Sequence, residues 1–204
     1  MPAQARGPAV VVVVGVSGSG KSTVGGLLAR RLRVPFLEGD DLHSAANRAK
    51  MAAGRPLDDA DRGPWLDSLA DWIREADASG RGGVVACSAL KHAYRERLRA
   101  ANPGVWFLYL RVEPAIAVRR VAHRAGHFMP ARLVAPQYAD LEPLRPDEPG
   151  LSVDATADPV SLADRAARAV TSPDGPVTRS EAGGSPGPGR PPSLGRGQRT
   201  NPDS

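Results

Sequence analysis

The clearest chemical signal is Gly15-Val16-Ser17-Gly18-Ser19-Gly20-Lys21-Ser22, which fits the phosphate-loop pattern G-x-x-x-x-G-K-S/T at every fixed position. Glycines let the backbone turn tightly and approach an anion with no Cβ in the way. Successive N–H groups then form an anion nest, and a helix starting near Lys21 adds the positive end of its dipole. Lys21 supplies a mobile cation for the β- and γ-phosphates, and the Ser22 hydroxyl is a magnesium ligand. The pattern therefore implies a nucleoside triphosphate with Mg2+. A Gly-Ser linker is the bland alternative. The β-branched run before the loop and the apolar spacing of Val24, Leu27, Leu28 and Leu32 after it argue for a strand and a helix instead.

A second cluster follows at Glu38-Gly39-Asp40-Asp41-Leu42-His43. Carboxylates at a strand end beside a phosphate loop have two uses. One orients an attacking hydroxyl or takes its proton, and the other supports a metal ion. Asp40 is the candidate for the first and Glu38 for the second, while Asp41 has the alternative of capping a helix at Leu42. A third cluster is basic: Arg119, Arg120, His123 and Arg124 run into Gly126-His127-Phe128. A basic helix end entering a glycine-containing loop suits a lid that brings arginine to a transferring phosphate and excludes water. Arg124 is the candidate for catalysis in the lid and Arg120 for an ATP contact. The alternative is a solvated basic face.

These residues need a frame. Strands are predicted over 10–14, 35–38, 84–87, 105–110 and 151–153, and helices over 22–32, 42–51, 65–76, 91–100, 114–124 and 159–170, the last capped by Asp158. Alternation of this kind predicts an α/β fold, a five-stranded parallel sheet with helices on both faces. Ligands of such sheets bind at the carboxyl ends of the strands, where every cluster above falls.

Composition narrows the setting. The chain has 204 residues, enough for one domain and a tail. One cysteine, Cys87, permits no intramolecular disulfide and favours a reducing, cytoplasmic compartment. No apolar run reaches the roughly 20 residues that span a bilayer, so no membrane partner is expected. The net charge of +5 is read as serving anionic ligands, with no nucleic acid expected. Residues 1–8 read as a disordered lead-in and 9–171 as the domain, with a lid over about 124–140. Residues 172–204 are rich in Gly, Pro and Arg and read as a disordered tail.

Beyond the acidic turn come Asn47, Lys50-Met51, Gly54, Pro56-Leu57 and Asp59-Ala60-Asp61-Arg62-Gly63-Pro64-Trp65-Leu66. With Cys87-Ser88-Ala89-Leu90-Lys91, Tyr94-Arg95 and Leu98-Arg99, this order resembles the gluconokinase family, the thermoresistant gluconokinases among the shikimate-kinase-like P-loop kinases. The resemblance covers roughly residues 10–170. It implies a P-loop kinase fold with a lid, ATP-dependent phosphorylation of D-gluconate to 6-phospho-D-gluconate, and a homodimer as one possible assembly.

Gluconate, one carboxylate and a row of hydroxyls, calls for cations at one end and directional polar groups along it. Arg62, Lys91, His43 and Asp40 are the substrate candidates. Arg62 has the alternative of an ion pair with Asp59 or Asp61, Lys91 of starting a surface helix, and His43 of packing in a helix. Lys50 reads as peripheral and Cys87 as a small buried residue. Gln137 takes a substrate role by resemblance, as Gly126-His127-Phe128 takes the lid. Ala135-Pro136 departs from the family, which leads one to expect Ser or Thr before Gln137, and so leaves the hinge open. The rival readings are another small-molecule P-loop kinase, for shikimate or a nucleotide, and a nucleotide-binding module without turnover.

Overall fold

The computed structural model describes residues 10–123, 130–172 and 179–180. Strand β1 (Val10–Val14) is wholly buried at the centre of a parallel sheet. It pairs with β3 (Gly83–Cys87) on one side and β4 (Trp106–Arg111) on the other. Outside these lie β2 (Phe36–Glu38) and β5 (Gly150–Asp154), giving the five strands expected. Arg179–Ser180, inside the segment read as a disordered tail, add a two-residue parallel strand, β6, beside β5. The rest of the tail beyond Ser172 and the lead-in lie outside the described residues.

Side chains alternate across a strand, so the valine run feeds two cores at once. Val10, Val12 and Val14 face α3 (Asp59–Ala78) and α4 (His92–Ala101), packing with Leu69, Ile73, Leu98 and Phe107. Val11 and Val13 face α1 (Lys21–Leu32) and α7 (Pro159–Thr171), with Val24, Leu28, Leu108 and Leu162. Each fully buried valine contributes about 1.5–3 kcal/mol over an exposed one, which is why an aliphatic core suffices here. Because β1 lies between β3 and β4, its carboxyl end is the point where the strand order reverses, and a crevice opens there. The remaining helices, α2 (Ala45–Ala52), α5 (Pro114–Ala122) and α6 (Val134–Asp140), surround that crevice. Among the described residues no helix is long and apolar enough to cross a membrane.

Two predicted helices start three or more residues away from the expected position, while the others shift by one or two. The one expected over 42–51 starts at Ala45, because Ser44 accepts the Asn47 N–H at 3.1 Å and caps it. Gly39–Leu42 form a 3₁₀ turn and His43 is extended, so Asp41 caps no α-helix. The helix expected from Trp65 begins six residues earlier, at Asp59. A capping box nucleates it: Asp58 accepts the Asp61 N–H, and Asp61 accepts the Asp58 N–H. Pro64 lies inside this helix, and the preceding Gly63 has no Cβ to clash with the proline ring. Asp58→Ala is expected to cost about 1 kcal/mol, read as a lower urea midpoint at unchanged slope.

Candidate active site

The loop after β1 folds as its glycines require. Gly18 has φ 82°, and a Cβ there would meet the Ala117 carbonyl oxygen at 2.6 Å; Gly20, at φ 96°, precedes the first turn of α1. Ser17, Gly18, Gly20, Lys21, Ser22 and Thr23 line a cavity of about 210 Å³ together with Glu38, Asp40 and Arg120. Gly15, Val16 and Ser19 complete the loop behind this wall. The Ser19 N–H closes it on the Val16 carbonyl at 3.2 Å, and the Ser19 hydroxyl is buried with no hydrogen-bond partner among the described residues. Lys21 is buried, and its Nζ donates to the Val16 carbonyl at 3.1 Å. Arg120, on α5, donates to the Gly18 carbonyl at 3.4 Å and the Ala155 carbonyl at 3.0 Å, which ties the loop to the end of β5.

Glu38 ends β2 and faces the Ser22 hydroxyl across the same cavity wall. Burial pushes its carboxyl above the usual range; Ser22 and Lys21 oppose this, and Asp40 adds to it. A hydroxyl and a carboxylate form an all-oxygen donor pair, which fits Mg2+. Among the described residues no group of three His, Cys, Asp or Glu could hold a metal by itself.

The second cavity opens on the other side of Asp40. Its polar lining is Asp40, His43, Arg62, Ser88 and Gln137, set among apolar walls such as Trp65 and Leu133. Asp40 is the one described residue that lines both cavities. His43 is not packed within a helix. Its ring stacks on Trp65 with centroids 4.6 Å apart, and Trp65 donates to the Gly39 carbonyl at 2.7 Å. His43 Nδ1 is buried with no hydrogen-bond partner among the described residues.

Burial lowers the His43 pKa, with help from Arg62 and Arg48 and against Asp40, so the ring is neutral at pH 7. The unfolded chain takes up a proton near the ordinary value of 6.5 while the folded chain does not. The protein therefore loses stability as pH falls below 6.5, until the folded ring also protonates. His43→Gln is expected to flatten that part of the melting-temperature profile relative to wild type.

Arg62 is paired with Asp59, one of the two sequence alternatives, and more closely with groups the sequence did not suggest. It donates to Asp140 and to the Tyr94 hydroxyl, each at 3.0 Å, and stands 4.0 Å from Asp59. Burial works against its charge, yet these hydrogen bonds and the Asp140 carboxylate outweigh it and raise its pKa. Asp61 is used by Lys50 and the Asp58 cap, which leaves Lys50 peripheral as expected. Lys91, at the N-cap of α4, donates to Asp59 at 2.7 Å and stands 3.7 Å from Asp140. It shares both carboxylate partners with Arg62 and does not line the cavity. Gln137 does line it, and also reaches the Ser17 amide. Pro136 falls in the first turn of α6, where its missing N–H has no intrahelical partner to lose. Arg124 and Gly126-His127-Phe128 lie outside the described residues. Cys87 is buried, and burial pushes its thiol up to about 12, far from a thiolate nucleophile. Sequence reasoning missed Asp140, which belongs to no motif, and the pairing role of Tyr94.

A phosphate cradle at the switch point of a parallel α/β sheet, facing a polar pocket across one shared carboxylate, defines a P-loop kinase of small molecules. Residues 10–144 match the AAA domain family. The chain is 48% identical over 146 residues to a gluconokinase of Gluconobacter oxydans, covering 72% of this chain and 82% of that one. It is 40% identical over 139 residues to the thermoresistant gluconokinase of Escherichia coli, covering 68% and 79%. Among solved structures, a gluconokinase from Sinorhizobium meliloti superposes with TM-score 0.71 at 41% identity, over 81% of this chain and 93% of that one. An unliganded sugar kinase from Janibacter superposes with TM-score 0.74 at 43% identity, over 80% and 98%. The chain belongs to the gluconokinase family.

Proposed function

We propose that the protein transfers the γ-phosphoryl group of ATP to the 6-hydroxyl of D-gluconate, giving ADP and 6-phospho-D-gluconate. The family supports the substrate. The observation that carries the chemistry is Asp40, the residue common to the two cavities. ATP occupies the cavity of the phosphate loop, and gluconate the cavity of His43 and Arg62.

In this reading Asp40 orients the 6-hydroxyl and takes its proton as the oxygen attacks phosphorus in line. The bond from phosphorus to the ADP oxygen breaks in the same event. Lys21 and the loop amides hold the phosphates, and Arg120 contacts the nucleotide. Ser22 and Glu38 are the residues that would hold Mg2+, whose charge neutralises the transferring phosphates. Neutral His43 exchanges a hydrogen bond with a substrate hydroxyl through its unpartnered Nδ1. Arg62 meets the carboxylate end, Lys91 is a second cation that shares its carboxylate partners, and Gln137 lines the gluconate cavity.

A coupled ADP-release assay tests the reading. Turnover should require D-gluconate and Mg2+ together. Release only with shikimate or a nucleoside monophosphate would transfer the site to another small-molecule kinase. ATP binding with no turnover on any acceptor would leave a nucleotide-binding module.

A further inference from the structure

Helix α6 holds both halves of the site by one face. Gln137 and Asp140 are three residues apart, so their side chains leave the same side of the helix. Gln137 Oε1 accepts the Ser17 N–H of the phosphate loop at 2.6 Å, and its Nε2 donates to the Ser17 hydroxyl at 3.1 Å. Both polar ends of a buried carboxamide are thereby spent on one loop residue. One turn later, Asp140 accepts from Arg62 at 3.0 Å and stands 3.7 Å from Lys91. Val134, at the start of the helix, packs in the same small apolar cluster as Val16 of the loop. A seven-residue helix thus holds a donor-site amide and an acceptor-site cation at the same time.

Each partner resembles a ligand in chemistry. The Gln137 oxygen sits on a loop N–H as a phosphate oxygen would, and the Asp140 carboxylate sits on Arg62 as an acid substrate would. Resting on the gluconate reading for the second ligand, we propose that α6 is a shared latch. Gln137 and Asp140 are positioning residues that both substrates displace, so each substrate raises the affinity for the other. A ligand that wins either contact loosens the helix that carries the other one. The second ligand then binds a population already released, which is positive cooperativity. Because coupling is reciprocal, it appears in either binding constant.

Titration calorimetry on the full chain tests this with the non-hydrolysable analogue β,γ-imido-ATP and Mg2+, with and without saturating D-gluconate. In wild type, gluconate should tighten the analogue by about 5- to 150-fold, the usual range of such coupling. Gln137→Ala and Asp140→Asn should each bind the analogue alone more tightly than wild type, and the gluconate effect should shrink towards one. A wild-type ratio of one while gluconate binding is observed overturns the latch. So does unchanged or weaker analogue binding in the variants, which is what a merely structural role produces. If wild type gives no gluconate binding at all, the gluconate reading fails, and the analogue-only comparison still decides the latch. If Asp140→Asn does not melt cooperatively, Gln137→Ala, which keeps the Arg62–Asp140 pair, carries the test.

Discussion

Asp40→Asn is expected to lower kcat by about 10²- to 10⁴-fold, the usual contribution of a positioned general base. KM for ATP should stay near the wild-type value. Asparagine keeps the size and shape of the side chain, so the loss reports charge and proton acceptance. The backbone beneath it is closely set. A Cβ on Gly39 would meet the Ala86 carbonyl oxygen at 2.6 Å and the Cys87 Cβ at 2.9 Å, and the Gly39 carbonyl is held by Trp65. The Asp40 carbonyl in turn accepts the His43 N–H at 3.3 Å. The turn should therefore survive the substitution, and the phosphate loop, built from other residues, should still bind nucleotide. Steady-state kinetics with an ADP-binding titration separates the outcomes. A kcat within threefold of wild type, with nucleotide binding intact, would sink the assignment of Asp40 as base.

The largest stability effect is expected at Arg95. Its guanidinium makes a fork with Glu148, Nε to Oε1 at 2.6 Å and Nη2 to Oε2 at 2.9 Å. Its remaining N–H groups reach the carbonyls of Leu90 at 2.8 Å, Glu142 at 3.0 Å and Pro143 at 3.1 Å. Arg95 is 1% exposed and Glu148 0%. Burial alone raises the Glu148 pKa, but Arg95 and the Arg145 N–H outweigh it, and the net shift is downward.

Arg95→Leu leaves that carboxylate buried with its main partner gone, at an expected cost of about 3–5 kcal/mol. For a chain of this size the melting temperature should fall by roughly 6–20 °C. Adding Glu148→Leu should recover much of the loss, since a buried pair replaced by apolar side chains is often neutral. The sign of the pH dependence follows from the lowered pKa. The pair's stabilisation is fully present above the ordinary value of 4.5 and is lost as pH falls through the folded pKa. A single-variant loss under 1 kcal/mol would mean that the charges are not desolvated as packed here. The pair also joins α4 to the segment after α6, so its loss should loosen the acceptor side before the phosphate loop.

What could be read from residue order was local. The phosphate loop is eight contiguous residues whose own backbone makes the ligand cradle, so spacing alone identifies it. The valine run declares a strand buried on both faces, and Asp158 declares a helix start, because each acts on its immediate neighbours. Asp40 was legible as an acid at a strand end beside that loop.

The rest depended on neighbours distant in sequence. The helix expected from Trp65 starts ahead of Gly63-Pro64 and runs through it, because a capping box nucleates the turn ahead and tertiary packing of Trp65 and Leu69 holds the turns behind. His43 falls outside its predicted helix, ahead of the Ser44 cap, and its ring stacks on Trp65, 22 positions along the chain. Gln137 meets Ser17 across 120 residues, and Arg62 meets Asp140 across 78. Contacts of that span have no period and no motif. Only the closing of the sheet at β1, with its crossovers to either side, brings α6 over the loop, and with it the carboxylate that Arg62 holds.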